Sequence, residues 1–209
     1  EFRRVLFRSG VPLPRGVALT AEHFKLVDPH GEREIPLQLR VTARWSPRGY
    51  VKWLLLDFPG QVDAERVTTY TLQYGPRIKR MPVANPLKVE QDDDGFAVDT
   101  RPLQFSDSKR GFSFLDSAVL NGQRLSDSDR VTLNDEHGTV YEAGGDDESL
   151  VTLEESGPLR AVIAAQGWFV ADGVRTGKYI VRIYAYRGES ALRVFHTFVV
   201  TRPTKGLRY

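Results

Sequence analysis

Apolar and polar residues alternate with a period of two through most of this chain. Ile35, Leu37, Leu39, Val41, Ala43 and Trp45 fall on one side of an extended segment and Gln38, Arg40, Thr42 and Arg44 on the other, the pattern of a half-buried strand. Ser46, Pro47, Arg48 and Gly49 then turn the chain. Residues 53–58 return as a nearly continuous apolar run, as a strand covered on both faces would be, so Trp53, set among leucines, is expected in a core. Residues 24–27 read as a shorter strand ended by the turn Asp28-Pro29-His30-Gly31, whose residues each favour a tight reversal. Residues 67–74 read as another, with Tyr70, Leu72 and Tyr74 on one face.

These short strands predict a small barrel over residues 10–76, closed off by Gly75-Pro76. Residues 77–86 mix proline with Arg77, Lys79 and Arg80 without periodicity, which is linker composition. A second region, 87–209, opens with residues 87–91, an acidic turn at Asp92-Asp93-Asp94-Gly95, and residues 96–100. Asn121-Gly122 supplies the dipeptide best suited to a two-residue hairpin turn. From 149 to 201, four strand patterns are separated by Ser156-Gly157-Pro158, Asp172-Gly173 and Arg187-Gly188-Glu189, predicting an antiparallel meander. Val181, Ile183 and Ala185 alternate there with Arg182, Tyr184 and Tyr186. No segment has the apolar spacing of a helix face. The expected fold is therefore all-β: a small N-terminal β-barrel followed by an antiparallel β-sandwich, with the sandwich expected to continue past Tyr209.

Residues 1–9 are set apart from this reading. Phe2-Arg3-Arg4-Val5-Leu6-Phe7-Arg8-Ser9 corresponds, in one reading frame, to the end of a common sequencing-library adapter, and such segments are excluded from fold reasoning. Without Arg3, Arg4, Arg8 and Glu1 the acidic and basic residues balance, and no basic stripe interleaved with aromatics remains to suggest a nucleic-acid partner. With the natural start replaced, the missing signal peptide carries no information on compartment. The longest apolar runs have strand length, short of the roughly 18 residues of a membrane helix. The absence of cysteine excludes a disulfide framework, a zinc ribbon and a thiolate nucleophile.

Candidate chemistry is sparse. His30 and His137 sit in predicted turns, and His196 shares a strand face with Val194 and Phe198, the setting of a hydrogen-bonded core or interface histidine. No two histidines have the spacing of a zinc helix. The acidic clusters at residues 92–94, 127–129 and 146–148 are oxygen-rich enough to suggest calcium, but none has the full calcium-loop pattern, and solvated turns are the expected reading. No nucleophile elbow or phosphate-binding glycine loop is present. No catalytic or metal-ligating residue is assigned. Trp45, Tyr50, Trp168 and His196 are the candidates for contact with a glycan or with another domain.

Three blocks carry a family resemblance: Gly10-Val11-Pro12-Leu13-Pro14-Arg15-Gly16, then Ile35-Pro36-Leu37-Gln38, then Trp45 with Val51-Lys52-Trp53-Leu54-Leu55-Leu56-Asp57-Phe58. They resemble the N-terminal RIFT barrel of the exo-rhamnogalacturonan lyase (PcRGLX/YetA-like) family. Glu154-Glu155-Ser156-Gly157-Pro158-Leu159-Arg160-Ala161-Val162, with Tyr184-Ala185-Tyr186-Arg187-Gly188 and Val194-Phe195-His196-Thr197-Phe198, is similar to that family's central β-sandwich. The hairpin turn departs from the family: Trp45-Ser46-Pro47-Arg48-Gly49-Tyr50 stands where Trp-Pro-Asp-Gly-Ser is usual. The resemblance implies an exported enzyme that cleaves a uronate-containing polysaccharide by β-elimination, with a downstream α/α toroid in the same chain bearing the catalytic cleft. This chain is then a non-catalytic portion of that enzyme. The alternative is a stand-alone glycan-binding or scaffold module.

Overall fold

The computed structural model describes residues 4–31, 33–61, 67–127 and 129–201. The fold is all-β, and the chain divides into two compact units, 1–85 and 86–209.

The first unit contains β1 (Arg4–Pro12), β2 (Phe24–Val27), β3 (Glu34–Ile35), β4 (Gln38–Arg44), β5 (Val51–Gln61) and β6 (Thr71–Tyr74). They form two antiparallel sheets ordered β1-β5-β4 and β3-β2-β6, the walls of a small half-barrel. Leu13, Phe24, Leu26, Ile35, Leu37, Val51, Leu54, Leu56 and Phe58 fill it. The single long strand expected from residue 35 onward is divided. Pro36 has no N–H to give a ladder, so Ile35 stays with β2 while Gln38 begins a strand paired to β5.

Residues 4–9, set apart in the sequence, extend β1 along β5. Phe7 lies opposite Phe58 and their rings stack at 5.7 Å. Ladder bonds use only the backbone, so the edge of β5 accepts any extended segment that offers an apolar side chain at the right parity. The pairing reflects what β5 leaves open. Part of the expected linker is likewise held to the first unit: Met81 N–H donates to Glu34 Oε1 (2.7 Å), and Ile78 N–H donates to the Gly75 carbonyl (2.9 Å).

The second unit contains β7 (Lys88–Gln91), β8 (Gly95–Asp99), β9 (Leu103–Ser108), β10 (Ser117–Leu120), β11 (Gln123–Ser126), β12 (Thr132–Asn134), β13 (Val140–Glu142), β14 (Leu150–Glu155), β15 (Arg160–Ala171), β16 (Val174–Tyr186) and β17 (Arg193–Val199). One antiparallel sheet is ordered β11-β10-β9-β8-β7. The other is ordered β12-β13-β15-β16-β17, with β14 also paired to β15. Phe96, Val98, Leu103 and Phe105 from the first meet Ala161, Ile163, Phe169, Val181 and Ile183 from the second in one core, a β-sandwich. The meander β14 to β17 follows the expected order. Asn121 (φ 49) with Gly122 (φ 81), and Asp172 (φ 48) with Gly173 (φ 76), hold the positive angles that two-residue hairpin turns demand.

Candidate functional site

The hairpin β4–β5 carries most of the exposed aromatic surface of the first unit. Gly49 N–H donates to the Ser46 carbonyl and Trp45 N–H to the Tyr50 carbonyl, both at 2.9 Å, closing the turn. A Cβ at 49 would press on Ser46 Oγ, so a larger residue there requires the Ser46 side chain to turn away. The Arg44 guanidinium donates to the carbonyls of Leu19 (2.8 Å) and Gly49 (2.9 Å), fixing the tip. Trp45 is 46% exposed and its indole N–H donates to the Leu13 carbonyl at 3.1 Å. The Lys52 ammonium lies 4.8 Å from its ring centre, a cation–π contact. Residues 41–47 line an open hollow of about 590 Å³ that includes Trp45 but not Lys52. Tyr50 is exposed beside it. The structure therefore places Trp45 and Tyr50 together on one hairpin.

Trp53 corrects the expectation of a core residue: it is 42% exposed. β5 is central in its sheet, but only the face bearing Leu54, Leu56 and Phe58 meets the core. Register shifts opposite Val41, Ala43 and Arg44 accompany the change of side near the hairpin. A continuous apolar run does not say which face is left open.

Trp168 and His196 do not converge. Trp168 is half-buried on the outer side of the large sheet of the second unit. Its N–H donates to Asp146 Oδ2 (2.8 Å) and the Lys178 ammonium lies 4.5 Å from its ring centre. His196 pairs in register with the core-facing Val181, on the other side of that sheet. It is not a core histidine: it is exposed, with Val194 and Phe198 39% and 44% exposed beside it. Among the described strands β17 is at the edge of its sheet. The edge of the Phe169 ring, 6.4 Å away, is its aromatic neighbour.

The acidic clusters are engaged in turns and ion pairs. Asp92 Oδ1 accepts the N–H groups of Asp94 (2.9 Å) and Gly95 (2.8 Å), and these bonds hold its carboxyl below the usual range. Asp127 pairs with Arg124. Arg175 reaches Asp146 (3.1 Å), Asp147 (3.5 Å) and Glu148 (2.8 Å). Among the described residues no group of three or more histidines, aspartates or glutamates converges as a metal site would require.

Two polar features escape the sequence pattern. Arg160 and Glu155 form an ion pair with both side chains almost fully buried, and the Arg160 guanidinium lies 5.8 Å from the Tyr184 ring centre. Asp107 is 1% exposed, and neither carboxylate oxygen has a hydrogen-bond partner among the described residues. Burial first, and the charge of Asp116 second, push its carboxyl up to about 8. The signal for Asp107 was present, since it falls in phase with Leu103 and Phe105 on the inward side of β9.

Residues 87–205, more than half of the chain, match the family described as PcRGLX-like protein central beta sandwich domain. No curated protein matches the chain.

Proposed function

The chain belongs to the PcRGLX-like family through its central β-sandwich, and from that premise we propose that it is the non-catalytic β portion of a polysaccharide-degrading, rhamnogalacturonan-lyase-like protein. The match over residues 87–205 is the observation that carries this reading. β-Elimination needs a group to neutralise the uronate carboxylate, a base for the proton at carbon five and an acid for the leaving oxygen. On this reading those groups come from the α/α toroid that the resemblance implies, and the β units contribute contact with the glycan or with that toroid. Trp45 and Tyr50, exposed together at the hairpin tip beside an open hollow, are the proposed glycan contacts of the first unit. Trp168 and His196 are proposed contacts to the toroid.

A native gel cast with rhamnogalacturonan tests the glycan part. The chain is expected to be retarded, and Trp45→Ala or Tyr50→Ala to lose at least half of that retardation. Equal mobility of the chain with and without the glycan would refute it.

A further inference from the structure

Gly60 stands inside β5 where the backbone makes no demand for glycine. Its φ is not positive and it is buried. Glycine in a strand interior weakens the strand and often marks a place where something approaches the backbone closely. Here an aromatic ring does so. A Cβ added at 60 would lie 2.6 Å from Cδ2 and 2.7 Å from Cε2 of Phe7, and 3.2 Å from the Tyr70 hydroxyl oxygen. The Phe7 ring therefore lies on the bare backbone of Gly60, and even alanine at 60 would displace it.

The other walls of this seat are fixed. Phe58 stacks on Phe7 at 5.7 Å with the ring planes 26° apart, and Tyr70 tilts against Phe58 at 5.3 Å, both within the range of favourable ring pairs. The Tyr70 hydroxyl accepts the Gln61 N–H (2.8 Å) and donates to the Gln61 carbonyl (3.2 Å), which ties its ring to the end of β5. Phe58 is buried, and Phe7 and Tyr70 pack on the core of the first unit. Phe58, Gly60 and Tyr70 thus make a socket, and none of the three belongs to residues 1–9. The demand for a ring comes from the body of the first unit.

The ladder fixes where the occupant comes from. Gly10, Val11 and Pro12 pair with Leu55, Leu54 and Trp53, and the register runs on without a shift to Arg4 opposite Gln61. A segment that runs into Gly10 is held at the β5 edge by its own tether, at an effective concentration on the order of millimolar. A strand from another molecule has to displace it. Docked strands take affinity from the backbone ladder and specificity from side-chain pockets. We propose that the β5 edge over residues 56–61 is a strand-docking site with an aromatic socket. Its occupant is the segment leading into Gly10, selected by one aromatic side chain at the position of Phe7.

Native-state hydrogen exchange on the full chain tests the site, because a docked segment protects its own amides and those of residues 56–61. Phe7→Tyr is expected to stay within threefold of the parent. Exchanging neighbours, Phe7→Arg with Arg8→Phe, keeps the composition but turns the ring to the other face, and is expected to cut protection of residues 4–9 at least tenfold. Gly60→Val is expected to do the same. Adding Phe7→Ala to it is expected to restore protection at least threefold, because the valine then fills the socket from below. Thermal melts of each variant read folding independently. A free peptide with the sequence of residues 2–9 is expected to protect residues 56–61 of the exchanged chain, whereas the peptide carrying the same exchange is not. Unchanged protection in the exchanged chain or in Gly60→Val would overturn the socket, as would equal protection, or none, by the two peptides. Protection of residues 56–61 that rises with the concentration of the exchanged chain would seat a second copy on the edge and overturn the assignment to the preceding segment. None of these readouts depends on glycan binding or cleavage, so their failure is distinct from a failure of the function proposed above.

Discussion

At the scale of single residues, a buried acid and a buried ion pair set the behaviour of the sandwich. Asp107 is held near pKa 8 in the folded chain against an ordinary value of 3.8, so the folded state keeps a proton that the unfolded state releases. Its contribution to stability is full below about pH 4 and is lost as the pH rises toward 8. Each tenfold difference in acidity between the folded and unfolded chain is worth about 1.4 kcal/mol, so the loss reaches several kcal/mol. Asp107→Asn is expected to remove most of this slope, so that the variant equals the parent near pH 4 and is more stable at pH 8. Denaturant unfolding at both pH values checks it, and parallel pH profiles would count against it. Arg160 and Glu155 act differently, because removing one partner strands the other's charge in the interior. Glu155→Ala is expected to cost about 3–5 kcal/mol, whereas Glu155→Leu with Arg160→Met is expected to cost far less. A double-mutant cycle in denaturant separates these outcomes.

Legibility at this scale followed how local the determinant is. Asn121-Gly122 and Asp172-Gly173 were readable as turns because a positive φ is a demand on one or two residues. Trp53 was misread because its environment depends on which face of β5 the barrel leaves uncovered, and an apolar run contains no phase. The parity of His196 with Val194 and Phe198 was legible, but its exposure was not, because parity does not reveal that a strand lies at the edge of its sheet. Asp107 was visible in phase with Leu103 and Phe105, yet an aspartate at an inward position is easily passed over as a turn residue.

Among the elements, β17 stands apart. All of its residues are exposed, and Phe195 (55%), Phe198 (44%) and Val199 (37%) leave apolar surface on both sides of an edge strand. The described strand has no proline or bulge, the usual guards against edge-to-edge pairing. Isolated chain is therefore expected to associate with rising concentration. Phe195→Lys, which places a charge on this edge without touching the core, is expected to lower the associated fraction by at least half in sedimentation velocity, with an unchanged melting temperature. Unaltered association would exclude the edge as its origin. The hairpin β4–β5 is the contrasting element. Its turn is fixed by Gly49, Arg44 and the Trp45–Tyr50 pairing, so exposed aromatics are presented by rigid backbone and binding there needs little ordering. Pro36 shows how one residue divides an apparently single strand between two sheets, which period-two reading alone does not reveal.

For the whole molecule, a half-barrel and a sandwich each have their own core, and the sandwich, over residues 87–205, carries the family match. The proposed role, contact with a glycan, rests on the family match over residues 87–205 and on the exposed aromatic residues of the hairpin β4–β5. The most direct measurement compares unsaturated uronate released from rhamnogalacturonan, read by ultraviolet absorbance, by this 209-residue chain and by the product of the open reading frame that encodes it. Release by that product and none by the chain alone is the predicted result. Release by the chain alone, or by neither, would contradict it.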